Sequence, residues 1–453
     1  MMPTSFFNDL LQTIVERGRT ALGRPRLIGN ADMKKLCDDL LSGKGEASGV
    51  ALARLILDVY SSSTIGNKLA FIETLAQSYG SDGATVDKAI AAYQAAPNEA
   101  LLHRLYMAAE PRRQELIRRL NLAPGGTAAL VRLREDLLTY LPNRPDFKVV
   151  DQDLQSLFSS WFNRGFLVLQ SLSWNTPASI LEKVIRYEAV HEIDGWDDLR
   201  RRLEPTDRRC FAFFHPRLAE EPLIFVEVAL TKEIPSDIPA LLAEERNVLP
   251  AKEASTAVFY SISNTQKGLA GVSFGNFLIK QVAEDLKRAL PNLKTFVTLS
   301  PVPGFARWLK QEMAAETSQL LNDKLRSELA LLGEPDWMND EAKSKKLNKA
   351  VMAAAAVYFL KAKTSSGKPV DPVARFHLRN GARLERLNFL GNPSPDGMKQ
   401  SHGLMVNYLY DLDEIERNHE AFAGSGEVVA SSAVKKLLSG AEPQKSKAAA
   451  AAE

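Results

Sequence analysis

The stretch from Ala257 to Gly304 constrains this chain more than any other. Ala257-Val258-Phe259-Tyr260-Ser261-Ile262-Ser263 reads as a strand, with apolar and β-branched residues throughout. Asn264 to Gly275 follows as a loop holding Gly268, Gly271 and Gly275. Apolar residues then recur at Leu278, Val282, Leu286 and Leu290, one face of a helix predicted over 277–290. Pro291-Asn292 stops that helix. Thr295 to Leu299 is the next strand, and it leaves through Ser300-Pro301-Val302-Pro303-Gly304. Strand, glycine-rich turn, helix and strand in that order form a βαβ-like unit.

Such a turn has a chemical use. Backbone N–H groups at a helix start are unpaired and carry positive potential, and glycines let a phosphate approach them. The loop Gln266-Lys267-Gly268-Leu269-Ala270-Gly271-Val272-Ser273-Phe274-Gly275-Asn276 meets that need, and Lys267 adds charge. No GK[ST] follows its glycines, so it is not a Walker A loop. It is not GxGxxG either, which disfavours a dinucleotide fold. A loop that merely turns the chain would have the same composition.

Residues 1–158 read as a helical bundle, a scaffold or oligomerisation domain. Apolar runs at Ala51–Tyr60, Val86–Ala95 and Ala100–Ala109 are separated by breaks at Tyr79-Gly80-Ser81-Asp82-Gly83, Pro97-Asn98 and Pro124-Gly125-Gly126. Residues 159–440 are mixed α/β, giving an α+β chain overall. Leu223 to Leu230 is almost continuously apolar, as in a strand covered on both faces. Glu227 inside it is either a partnered core carboxylate or a site residue. Val373–Leu378 and Ala382–Phe389 flank Asn380-Gly381, which predicts a hairpin with His377 on its first strand. Leu404–Leu412 is a last strand, and residues 441–453 are an Ala-rich disordered tail.

Composition excludes several classes. Lys plus Arg is 57 against 55 for Asp plus Glu, so a net charge of +2 gives no global pull on nucleic acid or an anionic membrane. The two cysteines, Cys37 and Cys210, are far apart in sequence and support neither a disulfide scaffold nor a zinc site. The six histidines show no HExxH or HxH spacing, so no metal site is expected. No apolar run is long enough to span a membrane. The first residues lack a basic region followed by an apolar one, which argues against secretion. Arg17, Arg19, Arg24 and Arg26 hint at a transit peptide, but Asp9 and Glu16 sit among them. The expectation is a cytoplasmic protein.

The order of five blocks carries a resemblance. They are Glu221–Thr231, Phe259–Leu269, Leu299–Phe305, Phe376–Ala382 and Gly403–Tyr408, with Trp161–Leu167 upstream. Together they resemble the malonyl-CoA decarboxylase family, densely over roughly 155–412 and loosely over the helical part. The resemblance implies a catalytic domain with the fold of the acyl-CoA N-acyltransferase superfamily. It implies conversion of malonyl-CoA to acetyl-CoA and CO2 with no metal or prosthetic group. It also implies a homo-oligomer, dimer or tetramer, formed through the helical domain, in fatty acid or malonate metabolism.

The chemistry is compatible with so small a site. Losing CO2 from a malonyl thioester leaves an enolate, stabilised by donors at the thioester oxygen. A positioned acid then protonates the α-carbon. By resemblance Ser300 and His377 are the catalytic pair: His377 gives the proton, and Ser300 exchanges protons and holds the malonyl group. Gly268, Ala270, Gly271, Val272, Ser273, Phe274, Gly275, Asn276 and Ile279 would bind the CoA arm, and Asn407 and Tyr408 either line the acyl pocket or pack in a strand. Ser273 stands where some members of the family carry a glutamate, so that carboxylate's role is not carried over. His402 replaces a cysteine of the family and is given no essential role. The redox cysteine of animal members falls near Ser179, so that regulation does not transfer. An acyltransferase and a non-catalytic acyl-CoA sensor are the competing readings on the same scaffold.

Overall fold

The structure, a computed structural model, describes residues 30–42, 45–272, 274, 278–334 and 337–440. The predicted tail and the arginines near the start lie outside these residues, as do Ser273, Gly275 and Asn276. The chain divides into two compact units. One runs through Val168 and includes 214–223 and 265–274; the other contains 169–213, 224–264 and the chain from 275 onward.

The first unit is helical. Its helices are α1 (Asn30–Leu41), α2 (Glu46–Ser62), α3 (Ile65–Ser78), α4 (Gly83–Ala95), α5 (Glu99–Ala109), α6 (Arg112–Asn121), α7 (Gly126–Tyr140) and α8 (Lys148–Trp161). Side-chain caps set several starts: Thr64, Asp82 and Asn98 accept N–H bonds from the first turns of α3, α4 and α5. Leu116, Ile117 and Leu120 of α6 are buried at helical spacing, as are Leu130, Leu133 and Leu137 of α7. By contrast α4 and α5 pack on each other and bury no residue.

The second unit opens with β1 (Val168–Leu172, entering from the first unit), α9 (Ala178–Tyr187), α10 (Gly195–Leu203), β2 (Arg208–Phe214) and β3 (Ile224–Thr231). Then come α11 (Ile238–Leu242), β4 (Thr256–Asn264), α12 (Leu278–Ala289), β5 (Thr295–Thr298), β6 (Ser300–Pro301) and α13 (Phe305–Ala314). The last elements are α14 (Asp323–Leu329), α15 (Glu341–Leu360), α16 (Pro372–Arg379), β7 (Arg383–Asn388), α17 (Pro395–Ser401), β8 (Met405–Leu409), α18 (Ile415–Ser425) and α19 (Ser432–Leu437).

Among the described residues eight strands form one mixed sheet in the order β1-β2-β3-β4-β5-β8-β6, with β7 paired to β8. β4 and β5 pair in parallel, Val258 opposite Val297 and Phe259 opposite Thr298, and α12 makes the crossover. A helical unit followed by a mixed α/β unit is the order expected from the sequence. Leu278, Ile279, Val282, Ala283 and Leu286 form the buried face of α12. On the sheet, Ala229, Val258, Tyr260, Val297, Leu299 and Met405 close a core with Ile238 and Leu241 of α11. No described helix is long and apolar enough to cross a membrane.

One expectation fails. Residues 372–379 are a helix, not the first strand of a hairpin. Asp371 caps it by accepting from Ala374 N–H, and Pro372 occupies the first helical position with its φ already set. Asn380-Gly381 ends this helix instead of turning a hairpin. The Asn380 N–H reaches the Phe376 and His377 carbonyls, and Gly381 takes φ +82°. A Cβ at Gly381 would collide with the Ile415 carbonyl, a second reason for glycine there. The second strand of the supposed hairpin is real, as β7. Phe166 closes a short 3-10 turn before β1.

Candidate active site

His377 lies in the last turn of α16 and is almost fully buried. Its Nε2 is 3.2 Å from Ser300 Oγ, and its Nδ1 is 2.8 Å from the Tyr410 hydroxyl. Ser300 starts β6, where Pro301 follows and Val406 of β8 pairs with it. Residues 77 positions apart thus meet where the last turn of α16 faces the start of β6. Tyr408 lies flat on the imidazole, ring centroids 4.5 Å apart and 24° between planes. Phe376 meets it edge-on at 5.1 Å.

This setting fixes protonation. Burial pulls His377 down to about 3, so the ring is neutral at pH 7. Burial likewise pushes Tyr410 well above the usual phenol range, so it keeps its hydrogen. Tyr408 is raised too, by burial first and then by the carboxylate of Asp371. Its hydroxyl is buried without a hydrogen-bond partner among the described residues. Ser300 Oγ also lies 2.9 Å from Thr298 Oγ1. Asn407, at the centre of β8, donates from Nδ2 to the Thr298 carbonyl at 2.8 Å, and its Oδ1 accepts from Asn388 and Arg386.

The described part of the glycine loop, 266–272 and 274, belongs to the first unit. Arg134 of α7, 2% exposed, donates to the carbonyls of Gly268 at 2.9 Å and Ala270 at 2.8 Å and pairs with Asp151 at 2.8 Å. Gln155 donates to the Gly271 carbonyl at 3.0 Å. Gly271 is exposed with φ +77°, a conformation only glycine adopts freely. Gly268 has a packing reason for being glycine, because a Cβ would collide with the Val131 carbonyl. Lys267 is exposed, Val272 is buried and Phe274 half-buried. In the second unit Ile279 is buried in the apolar face of α12.

Ser300, His377 and Tyr408 are therefore brought together, while Gly268, Ala270, Gly271, Val272 and Phe274 fall in the first unit. Sequence reasoning missed Tyr410, Thr298 and Arg134. The alternation Tyr408-Leu409-Tyr410 was a usable signal, since residues two apart face one side of a strand. His402 ends α17 in the left-handed region at φ +51°. Glu227 is a partnered core carboxylate. Arg202 reaches it at 3.3 Å while also holding the His191 and Glu192 carbonyls. Burial, reinforced by Glu188 nearby, still pushes Glu227 up to about 8. Among the described residues no group of three or more His, Cys, Asp or Glu could hold a metal ion.

Residues 165–448 match the malonyl-CoA decarboxylase C-terminal domain and residues 79–162 the N-terminal domain. The mitochondrial malonyl-CoA decarboxylase of Anser anser anser is 37% identical over 353 residues, 73% of this chain and 70% of that protein. The crystal structure of malonyl-CoA decarboxylase from Rhodopseudomonas palustris superposes with a TM-score of 0.87 at 58% identity, covering 90% of this chain and all (100%) of that one. The enzyme from Agrobacterium vitis gives 0.86 at 57%, with 90% and 99% covered. The fold and these matches define a carboxy-lyase. The chain belongs to the malonyl-CoA decarboxylase family.

Proposed function

We propose that this enzyme decarboxylates malonyl-CoA to acetyl-CoA and CO2 with Ser300 and His377 as its catalytic pair. The observation that carries the reading is the buried chain Ser300–His377–Tyr410, with a donor or acceptor on each imidazole nitrogen. A merely structural histidine would not need its second nitrogen aimed at a serine on a strand exit. The substrate brings its own carboxylate. That negative charge beside a desolvated, neutral imidazole raises the affinity of His377 for a proton. The imidazolium forms as malonyl-CoA binds, with Ser300 hydrogen-bonded to the malonyl group. The bond between the α-carbon and the carboxylate then breaks. Its electron pair moves into the thioester enolate, and CO2 departs. His377 Nε2 gives its proton to the α-carbon, leaving acetyl-CoA and a neutral imidazole.

The thioester is its own electron sink, so this scheme calls for no metal or prosthetic group. The loop from Gly268 to Asn276 is assigned to the CoA pyrophosphate and pantetheine arm, a role that suits the exposed Gly271 beside carbonyls held by Arg134 and Gln155. Self-association through the helical unit is part of the same reading, because α4 and α5 leave Leu102, Tyr106 and Met107 exposed. A reducing, cytoplasmic setting suits the two buried free thiols, Cys37 and Cys210.

The test is formation of acetyl-CoA and CO2 from malonyl-CoA in EDTA, with no acyl acceptor present. Wild type is compared with Ser300→Ala and His377→Asn. The expected result is turnover in wild type and a loss of at least about a hundredfold in each variant. Near-normal turnover in either variant refutes the assignment of that residue. CoA binding without any wild-type turnover refutes the reaction.

A further inference from the structure

β8 runs past two short strands, pairing Leu409 with Val297 of β5 and Val406 with Ser300 of β6. Between these pairs side chains replace part of the main-chain ladder. The Tyr408 N–H donates to Thr298 Oγ1 at 3.1 Å, not to a carbonyl. The Thr298 carbonyl accepts from the Asn407 side chain at 2.8 Å. Both oxygens of Thr298 are thereby tied to β8, and the residue is fully buried, 0% exposed. Its hydroxyl then stands 2.9 Å from Ser300 Oγ.

A hydroxyl has one hydrogen and two lone pairs. The Tyr408 N–H occupies one lone pair of Thr298 permanently. Toward Ser300 the group retains one lone pair and its hydrogen, so it can accept from Ser300 or donate to it. When Thr298 accepts, the Ser300 hydrogen points away from His377, and Ser300 Oγ receives His377 Nε2–H. When Thr298 donates, the Ser300 hydrogen is released toward His377 or toward a bound carboxylate. Valine would fill the same space and could do neither. Serine could do both.

We propose that Thr298 is a positioning residue for the decarboxylation: anchored by the Tyr408 N–H, its hydroxyl holds Ser300 Oγ against His377 and turns the Ser300 hydrogen toward the substrate when the malonyl carboxylate arrives. The inference rests on the reading of Ser300 and His377 as the catalytic pair. It adds a third hydroxyl that touches no substrate and acts through Ser300 alone.

The experiment compares kcat and KM for malonyl-CoA in wild type, Thr298→Val, Thr298→Ser, Ser300→Ala and the double variant Thr298→Val/Ser300→Ala. Thr298→Val is expected to lower kcat about tenfold to a hundredfold, as a misplaced catalytic group does, with KM changed less than about threefold. Thr298→Ser is expected to stay within about threefold of wild type. In the Ser300→Ala background Thr298→Val is expected to cost nothing further. If Thr298→Val does not yield folded protein, Thr298→Ala takes its place in the same comparison. Wild-type kcat in Thr298→Val overturns the proposal. So does an equal loss in Thr298→Ser, which would assign the effect to packing of the methyl. So does an equal loss in the Ser300→Ala background, which would assign it to the fold. Ser300→Ala with wild-type turnover overturns the catalytic pair itself, whereas an impaired Ser300→Ala beside an unimpaired Thr298→Val overturns only Thr298.

Discussion

The Tyr410 hydroxyl lies 2.8 Å from His377 Nδ1, on the far side of the ring from Ser300. While the imidazole is neutral, a hydrogen on Nε2 requires Nδ1 to be the acceptor, with the Tyr410 O–H donating to it. Tyr410→Phe removes that donor and leaves Nδ1 buried and unpaired. Leaving such a group unsatisfied costs about 1–3 kcal/mol. The expected outcome is a kcat reduced about tenfold or more, with little change in KM. Steady-state kinetics check it, and an unchanged kcat would show that the phenol does not select the tautomer.

The protonation of His377 has a sign that can be measured. In the free enzyme burial holds it near 3, so above pH 5 the ring is unprotonated. If the malonyl carboxylate raises that value, binding takes up a proton at pH 7. The uptake declines as the buffer pH rises, because the bound ring is then less protonated. A single turnover with a pH indicator in the stopped-flow should show uptake of about one proton per site ahead of acetyl-CoA formation. His377→Asn should show none of this early uptake. Equal uptake in wild type and variant would remove His377 from the proton path.

Arg134 offers a handle on the glycine loop. It is buried, paired with Asp151, and bonded to two loop carbonyls. Arg134→Ala strands both carbonyls and leaves Asp151 without this partner. Lysine cannot reproduce the planar fork, so Arg134→Lys should rescue little. The prediction is a KM for malonyl-CoA raised at least about tenfold, corresponding to roughly 1.4 kcal/mol, with a smaller effect on kcat. A KM within twofold of wild type in a folded variant would detach this loop from CoA binding.

The helix that carries His377 shows what was legible and what was not. Residues 373–378 are too short a run for periodicity to separate strand from helix. The deciding signal was local: Asp371-Pro372, a cap followed by a residue suited to the first helical position. Asn380-Gly381 reads equally as a hairpin turn or a helix end, since both use positive φ. The long apolar run of β3 and the four-residue repeat of α12 were legible because each is a pattern of neighbouring residues in sequence. The contact between Ser300 and His377 was not, because no local pattern encodes a meeting across 77 positions. Only family resemblance paired them. Arg134 was hidden for the same reason, as its loop partners lie more than a hundred residues on, at separations of 134 and 136. Thr298 was hidden by type, one threonine on an apolar strand.

Asp371 also makes that helix testable. Its carboxylate caps α16 through the Ala374 N–H at 2.7 Å and accepts from the Tyr358 hydroxyl at 3.0 Å. Asp371→Ala removes both bonds. A lost cap alone costs about 0.5–2 kcal/mol, and the buried Tyr358 hydroxyl adds to it. Urea denaturation should show the lowered midpoint. Asp371→Asn keeps an acceptor for both bonds and should recover most of the loss. Equal destabilisation by the two variants would mean that the charge, not the cap, sets the effect.

The paired helices α4 and α5 supply the last prediction. They bury no residue of their own, yet Tyr106 is 70% and Met107 53% exposed, with Leu102 beside them at 43%. A helix pair in water is stabilised by covering such a face, since isolated helices of this length are marginal. A second copy of the chain would cover it, in keeping with the proposed self-association. Leu102→Asp with Tyr106→Asp places two charges on that surface, and burying a charge without a partner is strongly unfavourable. Sedimentation should show wild type as an oligomer and the double variant shifted toward monomer, with its melting temperature lowered as partner contacts are lost. A wild type that sediments as a monomer at micromolar concentration would refute the assembly. An oligomer unaffected by both aspartates would move the interface away from this helix pair.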